Sequence, residues 1–111
     1  MVHNMELQHY PFTRIQALTK TIEMRLYDEK RSRIKINDLI RFCDISNGEC
    51  IECVVVNLYI YRDFDQLYER HDKMSIGYER NEDANPSDMH KYYSVDDIIK
   101  YGVVGIEIKL I

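Results

Sequence analysis

Apolar and polar residues alternate over residues 2–8: Met5 and Leu7 share one face, and Asn4, Glu6 and Gln8 the other. That period predicts a first strand. Pro11 follows, suited to the opening of a helix, and Phe12, Ile15 and Leu18 then recur every third position, so an amphipathic helix is expected over 11–18. Alternation resumes over 20–27. Ile22, Met24 and Leu26 point one way, and Thr21, Glu23, Arg25 and Tyr27 the other. A charged connection (28–32) leads to a short extended piece at Ile34 and Ile36. Asn37-Asp38 then marks a turn.

Residues 39–45 predict a strand with Ile40 and Phe42 on one face. Asn47-Gly48 is a hairpin signal. The run 50–61 is apolar on both faces, as in a strand covered twice or bent around a barrel. Asp63-x-x-Gln66 reads as a capping box before a helix carrying Phe64, Leu67 and Tyr68. A long polar loop is expected over 72–86, then a turn capped by Ser87. Ser94-x-x-Asp97 opens a further helix that stops at Gly102. A last strand sends Val104, Ile106, Ile108 and Leu110 inward. Strands dominate, and the helices do not alternate with them. The pattern predicts an α+β fold: a small curved sheet or partly closed β-barrel of five or six strands, mixed or antiparallel, with flanking helices.

The chain has 111 residues, 45% apolar and 31% charged. These values fit one soluble domain, 1–111. No apolar run approaches the ~20 residues of a membrane-spanning helix. The start, MVHNMELQHY, lacks the basic and apolar regions of a secretory signal, so a cytoplasmic location is expected. Cys43, Cys50 and Cys53 are an odd number, and no structural disulfide is expected in that compartment. Cys50-x-x-Cys53 lies in a β-branched run that puts its two side chains on opposite faces, and no His pair follows at finger spacing. Neither a metal nor a cofactor is expected.

Net charge is −4, but residues 20–41 alone carry +3. Lys30, Arg31, Arg33 and Lys35 in this segment are candidate phosphate contacts. The densest polar constellation is Lys20-Thr21-Ile22-Glu23-Met24-Arg25. Glu23 and Arg25 share a strand face, while Lys20 sits at the preceding turn, where parity does not set its direction. A carboxylate between two cations stays ionised and can accept hydrogen bonds or serve as a base. Arg25 offers a planar fork to phosphate or carbonyl oxygen. The bland alternative is a solvated strand face with weak ion pairs. There are nine tyrosines and no tryptophan; Tyr93, with Tyr92 and Tyr101, is a candidate for stacking a base. His3, His9, His71 and His90 have no nucleophile near them in sequence.

KTIEMR after the Pro11-Phe12 helix resembles the G-x-K-x-x-E-x-R signature of the ASCH domain (activating signal cointegrator homology) in the PUA-like superfamily. Residues 34–42, Tyr92-Tyr93-Ser94 and the final YGVVGIEI also resemble small bacterial stand-alone ASCH proteins. The resemblance implies a β-barrel with a cleft lined by Lys20, Glu23 and Arg25, and binding of RNA or a nucleotide- or nucleoside-like ligand. One branch of the family hydrolyses the acetyl amide of acetylated cytidine with a Lys, a Thr at the position of Glu23, and a later Glu that falls near Asp88. Here Glu23 replaces that Thr, and Leu18 replaces the signature Gly, so the turn into the strand is expected to differ in shape. Two enzymatic alternatives follow, both using Lys20 and Glu23 as the catalytic pair: an amidohydrolase acting on a modified nucleoside, and, more weakly supported, a ribonuclease. Oligomeric state is not legible.

Overall fold

In the computed structural model, which describes residues 1–111, the alternating segments form one five-stranded mixed sheet. The strands are β1 (Val2–Leu7), β2 (Ile22–Leu26), β3 (Leu39–Asp44), β4 (Cys50–Tyr61) and β5 (Val103–Leu110). Their spatial order is β1-β3-β4-β5-β2. β1 runs parallel to β3, from Val2 opposite Leu39 to Leu7 opposite Asp44; all other pairs are antiparallel. The sheet curls into a half-barrel with β1 and β2 as its two free edges.

Strand parity decides which side chains the curl encloses. Met5, Leu7, Ile40, Phe42, Val55, Val104, Ile106 and Ile108 form one buried cluster, closed by Phe12 and Ile15 of α1 (His9–Gln16). Burial of each of these two helix side chains is worth about 1.5–3 kcal/mol. On the other face, Ile22, Met24, Leu26 and Val103 pack against Phe64 and Leu67 of α3 (Phe64–Arg70), Ile76, Met89 and Ile98 of α4 (Val95–Tyr101). β4 serves both faces and changes register at Val56 through a bulge. No helix is long and apolar enough to cross a membrane.

Several elements differ from the pattern-based expectation. α1 starts at His9, with Pro11 as its third residue; the first N–H groups of a helix have no intrahelical partner, so proline costs nothing there. Leu18 lies beyond the helix, 66% exposed, with φ +65°. Ile34 and Ile36 form no strand: Ile34 lies in irregular chain and is buried, and Ile36 sits in the exposed turn with Asn37. Residues 29–32 form a one-turn helix, α2 (Glu29–Ser32), because Asp28 accepts from the Arg31 N–H at 3.0 Å. Asn85, not Ser87, caps the 3-10 helix Pro86–Lys91. Asp63 and Ser94 cap α3 and α4 as expected.

The expectation of no disulfide is overturned. Cys43 and Cys50 are bonded across the β3–β4 hairpin, where the register sets them directly opposite each other. Cys53 remains a free thiol, and burial pushes it up to about 11.

Candidate functional site

Glu23 stands opposite Ile106, and Arg25 opposite Val104. Residues paired across antiparallel strands share a face, so both side chains enter the enclosed side of the half-barrel. They are not on a solvated face: Glu23 is 4% exposed. Lys20 precedes the strand, and the long loop sets its direction. The N–H groups of Thr21 and Ile22 both donate to the Ser75 carbonyl at 2.9 Å, tying residues 72–78 to the entry of β2. Gly77, at φ +115°, then passes over the lysine stem; a Cβ there would lie 3.3 Å from Lys20 Cδ. The stem is thereby turned inward and buried.

The three charges meet. Lys20 Nζ lies 2.9 Å from Glu23 Oε1, and Arg25 Nε donates to Glu23 Oε2 at 2.6 Å. Burial pushes the Glu23 carboxyl up, but Lys20 and Arg25 together outweigh it and hold the group below its usual range. Burial works against the charge of Arg25, and the Glu23 carboxylate overcomes that effect, leaving the guanidinium above its usual value. Such a cluster persists because each buried charge has a partner.

The cluster lines a cavity of about 560 Å³ beside the β2 edge. Five tyrosines border it: Tyr10 from α1, Tyr68 from α3, Tyr78 from the long loop, and Tyr92 and Tyr93 after the 3-10 helix. Tyr93 stacks on Phe64 with centroids 6.0 Å apart. Burial raises its phenol, and Arg25 opposes the shift. The Tyr78 hydroxyl shares a hydrogen bond with Tyr68 at 2.8 Å and donates to Asp88 Oδ2 at 2.7 Å. Burial first, then these two bonds, push its phenol far above the ordinary value. At the rim Tyr10 donates to Glu82 at 2.9 Å, and Arg14 pairs with Glu79 at 2.6 Å while its guanidinium covers the Tyr10 ring.

The basic segment divides. Lys30 and Arg31 border a second cavity of about 700 Å³, which shares Arg25, Glu6 and Ile45 with the first. Arg33 is exposed and pairs with Glu29 at 2.7 Å. Lys35 is exposed, and neither it nor Arg33 borders either cavity. Tyr101 lies elsewhere, under Lys100. Three of the four histidines are structural partners: His3 to Asp38 at 2.8 Å, His9 to Asp44 at 2.6 Å, and His71 to Tyr61 at 2.8 Å. No three His, Cys, Asp or Glu side chains gather in a way that could hold a metal ion.

Sequence reasoning missed Tyr10, Tyr68 and Tyr78 as walls of one cavity, and reached Asp88 only through the family resemblance. The four come from separate elements, and no local pattern joins them. Gly77 was a usable signal, since a glycine within a polar loop often marks a close approach.

The family model of the ASCH domain matches residues 5–111. The crystal structure of hypothetical protein PH0355 is similar over 100% of both chains, with 31% identity and a TM-score of 0.85. The solution NMR structure of protein PF0455 from Pyrococcus furiosus is similar over 100% of this chain and 98% of that one, with 30% identity and a TM-score of 0.78. A search of curated proteins finds no match.

Proposed function

This chain belongs to the ASCH domain family, and from that premise we propose that residues 1–111 act as one domain that binds RNA or a nucleotide-like ligand. The ligand occupies the cavity beside β2, with Lys20, Glu23, Arg25 and Tyr93 as its contacts. RNA is the ligand class with which ASCH domains are generally associated. The single observation that carries the reading is the buried Lys20–Glu23–Arg25 cluster opening into a tyrosine-bordered cavity. The rings offer stacking surfaces, and the fixed charges offer hydrogen bonds to a base edge or ribose.

Binding is favoured over hydrolysis by the state of Glu23. A carboxylate held by two cations and kept below its usual range accepts a proton poorly, so it is ill suited to activate water or a ribose hydroxyl. The test is to incubate the protein with total RNA and a nucleoside mixture, then to identify retained and altered species by mass spectrometry. Retention of unaltered ribonucleotide material, lost in Tyr93→Ala, is expected. Deacetylated cytidine would replace the reading with an amidohydrolase and shortened RNA with a nuclease; retention of nothing would end it.

A further inference from the structure

We propose that the two cavities are successive subsites of one groove, the second receiving a phosphate joined to the nucleoside in the first, with Arg25 shared between them. The proposal rests on the binding reading above and gives the ligand a direction. Arg25, Glu6 and Ile45 border both spaces, so a ligand leaving the first cavity past Arg25 enters the second. Their linings are opposite in character. Five tyrosines surround the first, and no aromatic residue borders the second. A planar base has stacking partners only in the first.

The second cavity instead presents unused cationic donors. Arg25 donates from Nε to Glu23 and from Nη2 to the Glu6 carbonyl, with the Tyr93 hydroxyl as a further partner, so it marks the passage between the two spaces. A guanidinium carries five N–H donors in a fixed fork, the geometry that suits a phosphate. Lys30 is exposed and contacts only the Asn4 carbonyl, at 3.4 Å; no carboxylate pairs with it. Arg31 is held by Asp28 through Nη1 at 2.8 Å, and its buried Nε has no partner. Two carboxylates also border this space. Asp44 is saturated by His9 and by the N–H and hydroxyl of Ser46. Glu6 is exposed on β1. The cations thus outnumber the carboxylates, and two of the three retain donors with no protein acceptor.

The chemistry that fits is a ribose phosphate, from a free nucleotide or from an RNA strand. Binding is measured by 15N-resolved NMR titration with the four nucleosides, the four nucleoside 5′-monophosphates, a UpU dinucleotide and inorganic phosphate. The wild type is compared with Lys30→Glu and with Lys30→Gln/Arg31→Gln. Lys30→Glu alters only an exposed side chain and leaves the Asp28–Arg31 pair intact. At least tenfold tighter binding of phosphate-bearing ligands than of nucleosides is expected. That advantage should fall below threefold in both variants, with nucleoside affinity unchanged. A monophosphate preference marks a free nucleotide, and a UpU preference marks a strand; each supports the subsite. Equal affinity for nucleosides and monophosphates in the wild type, or an undiminished preference in both variants, overturns it. If nucleosides do not bind but inorganic phosphate shifts Lys30 and Arg31 in the wild type alone, the anion subsite stands and the RNA reading falls. If inorganic phosphate leaves these residues unmoved and phosphate-bearing ligands show no advantage over nucleosides, the subsite falls.

Discussion

Arg25 Nη2 donates to the carbonyl oxygen of Glu6 at 2.8 Å, so a side chain on β2 reaches β1, the strand at the other end of the sheet order. One residue closes the half-barrel, neutralises a buried acid and borders both cavities. Arg25→Ala should therefore cost far more than a surface arginine. It leaves Glu23 buried with Lys20 as its one partner, and breaking a buried ion cluster costs about 3–5 kcal/mol. Arg25→Lys should recover part of the charge but not the two-pronged contact. Urea unfolding of the three proteins measures both effects.

Acid should weaken the tie between the start of β1 and the turn before β3. A hydrogen bond from His3 leads the effects that bring Asp38 down from 3.8 to about 2. The folded protein holds that proton less tightly than the unfolded chain, so the contribution is complete above pH 3.8 and disappears as pH falls towards 2. The stability gap between wild type and Asp38→Asn should be constant at neutral pH and narrow in that acid window. Urea midpoints measured from pH 6 down to pH 2.5 check the slope.

Leu18 occupies a left-handed conformation (φ +65°) with its side chain in solvent, so it has strain and no burial to offset it. Leu18→Gly should stabilise the protein by about 1 kcal/mol, and Leu18→Val should destabilise it. Thermal unfolding of both variants reads the sign.

The Cys43–Cys50 bond closes a short loop at the tip of the β3–β4 hairpin. A cross-link of this kind limits the unfolded chain by about 2 kcal/mol. Cys50→Ser should lose that amount and be insensitive to reductant, while Cys53→Ala, which keeps the bond, should lose it under reductant as the wild type does. Equilibrium unfolding with and without reductant distinguishes these cases.

The strands were legible because each carries one face into a core, so parity alone placed Met5, Phe42, Ile106 and the shared face of Glu23 and Arg25. The caps at Asp63 and Ser94 were legible because their partners lie three residues away. Non-local features were not. Lys20 is turned inward by Gly77, more than fifty residues later in the chain, and the cavity walls converge from four elements. The disulfide had a local signal, since a hairpin at Asn47-Gly48 sets residue 43 opposite residue 50; an argument from compartment obscured it. Burial of the Lys20–Glu23–Arg25 cluster, which separates a binding site from a solvated strand face, depends on the loop and the 3-10 helix that cover an edge strand.

Chemical-shift mapping of the 15N-labelled protein with a pool of short single-stranded RNAs tests the central claim most directly. The account predicts saturable shifts centred on Lys20, Glu23, Arg25 and Tyr93, extending to Lys30 and Arg31, and abolished in Tyr93→Ala. Shifts confined to other surfaces, or none at concentrations that saturate ordinary RNA-binding domains, would contradict it.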